Sequence, residues 1–226
     1  MCVCVWLGTS TNLAPFSYTQ MFNHDPPIFC IGYAGGYENA KDSLKNLMES
    51  KECTYFPFPP THPPIHSQSL TSNPPHNIGV INIISEHFIE AANATSINAP
   101  YGVSEWALSG LHPASCTSVS CDRVQEAVFA VECKLIETKE YESRATPGKK
   151  TGVIATVEGL KFWVREDAIN EEKNLVDQAV LKPMSRLGGI TYARVTQGLE
   201  LPRPDYDESV KKAGNEGMVK AKVEGQ

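Results

Sequence analysis

Asn12-Leu13-Ala14-Pro15-Phe16-Ser17-Tyr18 is the stretch whose reading decides the fold. Pro15 lacks an N–H and fixes its own φ, which suits a barrel rim or a bulge better than a central strand. Asn12 and Ser17 bring an amide and a hydroxyl to the same short run. From these residues alone, a strand start with a satisfied turn and a ligand-lining segment stand as equal readings.

Strand signals dominate on either side. Val3–Leu7 reads as a strand, residues 8–11 as a turn, and Phe16–Phe22 as a second strand stopped by Pro26-Pro27. Ile28–Tyr33 is a continuous apolar run suited to a buried strand, followed by a Gly35-Gly36 loop. Asp42 or Ser43 reads as a helix N-cap, with Leu44, Leu47 and Met48 at helical spacing as far as about Lys51. Val80–Ile84 is a strand, and Ser85 reads as the cap of a helix through Phe88, Ile89 and Ala92. Ser104–Ser109 reads as a helical turn, Val128–Thr138 as a long strand and Lys139–Lys150 as a loop. Thr151–Val157 and Leu160–Val164 read as two strands joined at Glu158-Gly159. Many strands, few helices and no strand–helix alternation predict a mainly β fold, a closed or partly closed antiparallel barrel.

Residues 54–79 differ in kind. Seven prolines fall between Pro57 and Pro75 among His, Ser, Thr and Asn, without apolar periodicity, which marks an extended insert. The expected organisation is one domain over 1–205, interrupted at 54–79, with a polar tail over 206–226.

Composition excludes several functions. A net charge of −6 offers no basic stripe for a nucleic-acid backbone. No run reaches membrane-span length, and the apolar residues 1–7 are too short for a signal segment. Seven cysteines without a Cys-x-x-Cys pair suit neither a zinc site nor a disulfide framework. Cys30 and Cys133, in apolar runs, read as buried hydrophobes in a reducing, cytoplasmic compartment. His62 and His66 are four apart, but Pro63-Pro64 denies them a helix. Gly32-x-x-Gly35-Gly36 misses the dinucleotide fingerprint, and Ala107 stands where a Gly-x-Ser-x-Gly elbow before Ser109-Gly110 needs glycine.

Two other segments can carry chemistry. Lys41-Asp42-Ser43-Leu44 is either a capped surface helix or a phosphate cradle of first-turn amides, a hydroxyl and an ammonium. Arg186-Leu187-Gly188-Gly189-Ile190-Thr191-Tyr192 is either a tight turn with a surface arginine or a place where backbone and a fixed charge approach a ligand.

The order of pieces is more specific than any one of them. Asn12–Tyr18, Asn23-His24-Asp25-Pro26-Pro27, Lys41-Asp42-Ser43-Leu44-Lys45-Asn46, Val80–Glu86 with Asn93-Ala94-Thr95-Ser96, and Arg186–Tyr192 resemble the flavin-reductase-like family of FMN-binding split-barrel proteins. The subgroup it resembles carries NLAPFSY, DPP, KDTLRN, NxxSE and RLGGxxY in this order. The match covers about residues 8–53 and 80–205. The resemblance implies a six-stranded antiparallel barrel, a homodimer and FMN near the dimer interface. It implies that Asn12, Leu13, Ala14, Pro15, Phe16, Ser17 and Tyr18 lie along the cofactor and that Lys41, Asp42 and Ser43 meet its phosphate. Asn93, Ala94 and Thr95 match a segment close to the flavin, and Arg186, Gly188, Gly189 and Tyr192 would close the site. Arg186 is the candidate catalytic charge, set to stabilise the reduced ring, with Tyr18 and Tyr192 bordering it. The implied activity is an FMN-dependent oxidoreductase passing electrons from NAD(P)H to free flavin, oxygen or another acceptor.

Two departures support an alternative, a non-catalytic flavin-binding or dimerisation module. Residues 1–7 do not match the family's usual opening, so the first strand is expected to be incomplete. The 54–79 tract drops abruptly between Cys53 and Val80, like translated intron.

Overall fold

The computed structural model describes residues 3–7 (as backbone), 12–48 and 78–206. Strands β1 (Val3–Leu7), β2 (Leu13–Phe16), β3 (Thr19–His24) and β4 (Pro27–Ala34) precede helix α1 (Asp42–Met48). Then come β5 (Ile78–Ile83), α2 (Ile89–Ala94), α3 (Glu105–Ser109), the short ribbon β6 (Pro113–Ala114) and β7 (Arg123–Val124), and the long strands β8 (Phe129–Glu142) and β9 (Lys150–Val164). Helix α4 (Gln178–Leu181) and the hairpin β10 (Met184–Gly188) and β11 (Thr191–Arg194) follow. The expected insert at 54–79 lies, but for its last two residues, outside the described residues, as does the turn at 8–11. The compact unit that holds the strands ends at Thr196; a second unit covers Gln197–Gln226, and its described residues, 197–206, are exposed.

One antiparallel sheet runs in the order β2-β1-β5-β8-β9-β4-β3. Its two outermost strands, β2 and β3, are neighbours in the chain, separated by Ser17 and Tyr18 alone. Three peptide steps reach no more than about 10 Å, so the two ends of the sheet must meet. The sheet therefore curls into a barrel, split where the chain passes from one edge to the other. Among the described residues it has seven strands, not the expected six, because the Leu13–His24 segment is divided into β2 and β3 on two sheet edges. Phe16–Phe22 is thus not one straight strand, because it serves two sheet edges. At the kink the Gly32 N–H donates to the Tyr18 carbonyl at 2.7 Å. A Cβ on Gly32 would lie 2.9 Å from the Tyr18 Cβ, so only glycine admits this approach.

Strand β1 pairs on both sides, with β2 and with β5, so the expected gap in the first strand is not there. All six residues of β5 are buried. Ile81 and Ile83 pack into one core with Phe29, Ile31, Leu44, Leu47 and Val131. Ile78 and Val80 pack into a second core with Leu13, Phe88, Ala92, Leu111 and Val124. The period of two along a strand explains how β5 divides its side chains between two cores.

Other departures have local causes. The predicted loop Lys139–Lys150 shrinks to 143–149, since Lys139–Glu142 continue the ladder against β9. The two strands predicted across Glu158-Gly159 are one strand, β9. Cys133 pairs with Gly159 and Glu132 with Lys161, leaving Leu160 as the extra residue of a bulge. A Cβ on Gly159 would lie 3.1 Å from Val131 Cγ1 and 3.2 Å from Phe29 Cε2, so that glycine serves packing and not a turn. Ser85 holds the N-cap position of a 3-10 turn, Glu86–Phe88, that leads into α2, but its buried hydroxyl makes no cap hydrogen bond; its carbonyl accepts from the Phe88 N–H at 3.3 Å. Cys133 is buried as expected, whereas Cys30 is half-buried, because its side chain points to the face of β4 opposite Phe29 and Ile31.

Candidate functional site

A cavity of about 560 Å³ opens between the kinked strand, α1 and the segment after α2. Asn12, Ala14, Pro15, Phe16, Ser17 and Tyr18 form one wall, Lys41, Asp42 and Ser43 a second, and Thr95 and Ser96 a third. Three segments far apart in the chain meet here. Leu13 is not on the wall: its side chain is fully buried in the second core. Ala94 is exposed beside the cavity without lining it.

The geometry of the second wall follows from α1. Leu44 and Leu47 bury its apolar face. The Lys41 carbonyl accepts from the amides of Leu44 (2.9 Å) and Lys45 (3.0 Å), so Lys41 holds the cap position. Asp42 and Ser43, expected at the cap, lie inside the first turn, where amides have no intrahelical acceptor. Ser43 is buried and Lys41 exposed. Asp42 lies 3.9 Å from Lys45.

A residue without any local signal organises the first wall. Glu105, at the start of α3, is buried and accepts from the Leu13 N–H at 3.1 Å and from Asn12 Nδ2 at 3.5 Å. Its partners are 92 and 93 positions away, so nothing near it in the chain reveals the contact. A carboxylate accepts only, so Asn12 presents its nitrogen to Glu105, and its buried Oδ1 has no partner among the described residues. Tyr33 also lines the cavity, edge-on to Phe16 with ring centroids 5.0 Å apart, and burial pushes its hydroxyl pKa well up.

A second cavity, of about 870 Å³, shares Pro15, Ser17 and Ser96 with the first. Ile89, Glu90 and Asn93 of α2 face Met184, Arg186, Ile190, Tyr192 and Arg194 of the β10–β11 hairpin. Arg186 donates from Nη1 to the Tyr192 hydroxyl and from Nη2 to the Gly189 carbonyl, and its guanidinium lies 4.5 Å from the Tyr192 ring centroid. The Tyr192 hydroxyl donates in turn to Asn93 Oδ1 at 3.1 Å. Three expected site residues are therefore one connected group. Gly188 and Gly189 line neither cavity. They supply the turn, with φ of +106° and +52°. The hairpin is fixed by the Met184 N–H on the Ile84 carbonyl (3.1 Å) and by the Arg194–Glu86 ion pair.

The remaining reactive side chains sit elsewhere. Burial pushes the Cys116 thiol up to about 12, with Glu132 adding to the effect, and pushes Cys121 and Cys133 higher still. Such thiols are poor nucleophiles. No cluster of metal-ligating side chains occurs among the described residues, and His62 and His66 lie outside them. Among the described residues no helix is long and apolar enough to cross a membrane.

The family model described as the flavin reductase like domain matches residues 2–181. An uncharacterized protein of Aquifex aeolicus is 28% identical over 196 residues, covering 84% of this chain and 82% of its own. Nitrilotriacetate monooxygenase component B from Bacillus cereus superposes with a TM-score of 0.70 at 24% identity, over 88% of this chain and 86% of that one. The 2-nitrobenzoate 2-nitroreductase NbaA of Pseudomonas fluorescens superposes with a TM-score of 0.67 at 23% identity, over 91% and 85%. At that identity the two structural likenesses speak for the fold.

Proposed function

The chain belongs to the flavin reductase-like family, and on that premise we propose that it is an FMN-dependent oxidoreductase. It would take electrons from NAD(P)H and pass them to free flavin, oxygen or another acceptor. The observation that carries this reading is the convergence of four distant segments on two adjoining cavities with a common wall at Pro15, Ser17 and Ser96.

The residues present fit the cofactor. A flavin mononucleotide needs a cation and amides for its phosphate, hydrogen-bonding groups for its ribityl chain and an apolar surface for its ring. Lys41 makes no ion pair among the described residues and stands beside the first-turn amides and the Ser43 hydroxyl. Ser17, Ser96 and Thr95 supply hydroxyls, and Pro15, Phe16 and Tyr18 supply apolar surface. Of the three acids on the wall, Glu105 is engaged by Leu13 and Asn12, Asp42 faces Lys45, and Glu38 is exposed to solvent.

FMN, when bound, supplies hydride acceptance and onward electron transfer; the protein supplies position and electrostatics. Lys41, Asp42 and Ser43 would hold the phosphate end. Asn12–Tyr18 would lie along the ribityl chain and ring, and Asn93, Ala94 and Thr95 beside it. Arg186, oriented by Tyr192 and the Gly188-Gly189 turn, lines only the second cavity, so its fixed positive charge would act across the shared wall on the ring, where reduction builds negative charge. We assign the domain to 1–205 with 54–79 as its interruption and 206–226 as a tail. We further assign a homodimer and a cytoplasmic location; the free thiols of Cys30, Cys116, Cys121 and Cys133 suit a reducing compartment.

Absorbance titration with FMN tests the reading. The protein should turn yellow and saturate, and the bound chromophore should bleach anaerobically on addition of NADH or NADPH. Failure to take up FMN removes the proposal. A bound flavin that neither nicotinamide bleaches replaces it with the passive flavin-binding module.

A further inference from the structure

The two arginines of the second cavity are not in the same electrostatic condition. Arg194 is ion-paired with Glu86. Arg186 makes no ion pair among the described residues; its partners are a hydroxyl, a backbone carbonyl and an aromatic face, all uncharged. A guanidinium has five N–H donors, and two are used. Three donors and a whole unit of charge remain, on a side chain already oriented by its neighbours. The walls around it combine apolar surface from Pro15, Ile89, Met184 and Ile190 with the uncharged polar groups of Ser17, Asn93 and Ser96. The one unpaired acid on the wall, Glu90, is exposed.

We propose that the second cavity is the seat of the second reactant and selects a small organic carboxylate, its apolar body against Ile89, Met184 and Ile190 and its carboxylate on Arg186. This rests on the reading that flavin occupies the first cavity, since the reactants would then meet across the shared wall at Pro15, Ser17 and Ser96. The fork of an arginine matches the two oxygens of a carboxylate. One unneutralised cation matches one negative charge, and Glu90 disfavours a ligand carrying two. The cavity's volume falls within the range that holds small molecules.

The test uses the full chain loaded with FMN, with benzoate as the probe and benzyl alcohol as its uncharged counterpart. Binding is read from the perturbation of the flavin absorbance. Benzoate should saturate, and benzyl alcohol should bind at least tenfold more weakly. Arg186→Gln should weaken benzoate about tenfold or more, the scale of a charge-assisted hydrogen bond, and Arg186→Lys should recover part of that loss. Glu90→Gln should tighten benzoate roughly threefold, as expected for removing one exposed like charge. Equal binding of both probes, or an Arg186→Gln variant that binds benzoate as the wild type does, overturns the proposal. So does a cavity that NADH saturates and benzoate does not, which assigns Arg186 to the dinucleotide's phosphates. If the chain takes up no FMN, calorimetric titration of benzoate into the flavin-free protein separates the two readings. Arg186-dependent binding there keeps the carboxylate site while the flavin assignment falls; its absence removes both.

Discussion

The kinked strand Leu13–His24 and the hairpin Met184–Arg194 both line the cleft, but they are built differently. The kinked strand belongs to two ladders of the barrel, and Leu13 is fully buried in the second core. The hairpin forms its own two-stranded ladder, tied to the rest of the chain by the Met184–Ile84 backbone bond, and Leu187 and Ile190 at its turn are 66% and 94% exposed. On the first element, ligand wall and protein core are the same residues seen from two sides. On the second, Met184 and Tyr192 reach the second core, while the Tyr192–Asn93 hydrogen bond to α2 and the contacts of Arg186 within the hairpin orient the functional side chains. Substitutions in the two regions should therefore separate stability from chemistry.

The largest effect should come from Leu13→Ala. It leaves a cavity in the second core and should cost about 2–5 kcal/mol of stability, read from denaturant unfolding, with flavin uptake lost in parallel. An unchanged unfolding midpoint would break the claim that the kinked strand is core.

Glu132→Gln sharpens the comparison from outside the cleft. Glu132 is fully buried on β8 and accepts from the amides of Thr117 (3.0 Å) and Ser118 (2.5 Å) and from the Trp163 indole (2.6 Å). Burial alone would raise its pKa, but the hydrogen bonds from Thr117, Trp163 and Ser118 outweigh it and hold the carboxyl below its ordinary value. A depressed folded pKa stabilises fully above the unfolded value, near 4.3, and that contribution fades as pH falls through the folded value. The variant should lose about 1–3 kcal/mol at neutral pH. The gap to the wild type should narrow in unfolding experiments below about pH 4, and flavin affinity should hold. A gap that widens in acid would reverse the sign assigned to Glu132.

Lys41→Ala should weaken FMN by about 1–3 kcal/mol, measured by absorbance titration. Its unfolding midpoint should move by no more than about 0.5 kcal/mol, as at other exposed positions. A stability loss matching the affinity loss would erase the distinction between wall and core at α1.

The smallest effect on stability belongs to Tyr192→Phe. It removes the hydroxyl between Arg186 and Asn93 on a half-exposed hairpin, at about 1 kcal/mol or less. NAD(P)H-driven turnover should fall while the melt barely moves. A large melting shift would show that the hairpin is structural in the same sense as the kinked strand.

Much of this organisation is legible in the chain because its causes are local. The apolar run of β4, the helical spacing of Leu44 and Leu47, and the buried run of β5 each declare themselves within a few residues. The extension of β8 to Glu142 does not, since Lys139–Glu142 is charged and joins the sheet only because β9 lies beside it. The bulge at Leu160 is hidden because Gly159 reads as a turn until Val131 and Phe29 are seen against it. Glu105 and Glu132 are invisible as functional or structural acids, because the donors that define them lie 92 and 93 positions away for Glu105 and between 14 and 31 for Glu132. The motif order pointed to Asn12–Tyr18, Lys41–Ser43 and Arg186–Tyr192 together, but not to their division between two cavities.

The amino-acid order by itself determined that this chain is mainly β, where its buried strands and first helix run, and which polar segments interrupt them. Periodicity and turn chemistry act over a few residues and can be read in line. Only the tertiary structure decided that Leu13 faces a core while its neighbours face a cavity. It also decided that Asn93, Arg186 and Tyr192 form one hydrogen-bonded group and that Arg186 makes no ion pair among the described residues. Those properties depend on which distant surfaces the barrel's closure brings into contact, and that closure is set where two sheet edges meet across Ser17 and Tyr18.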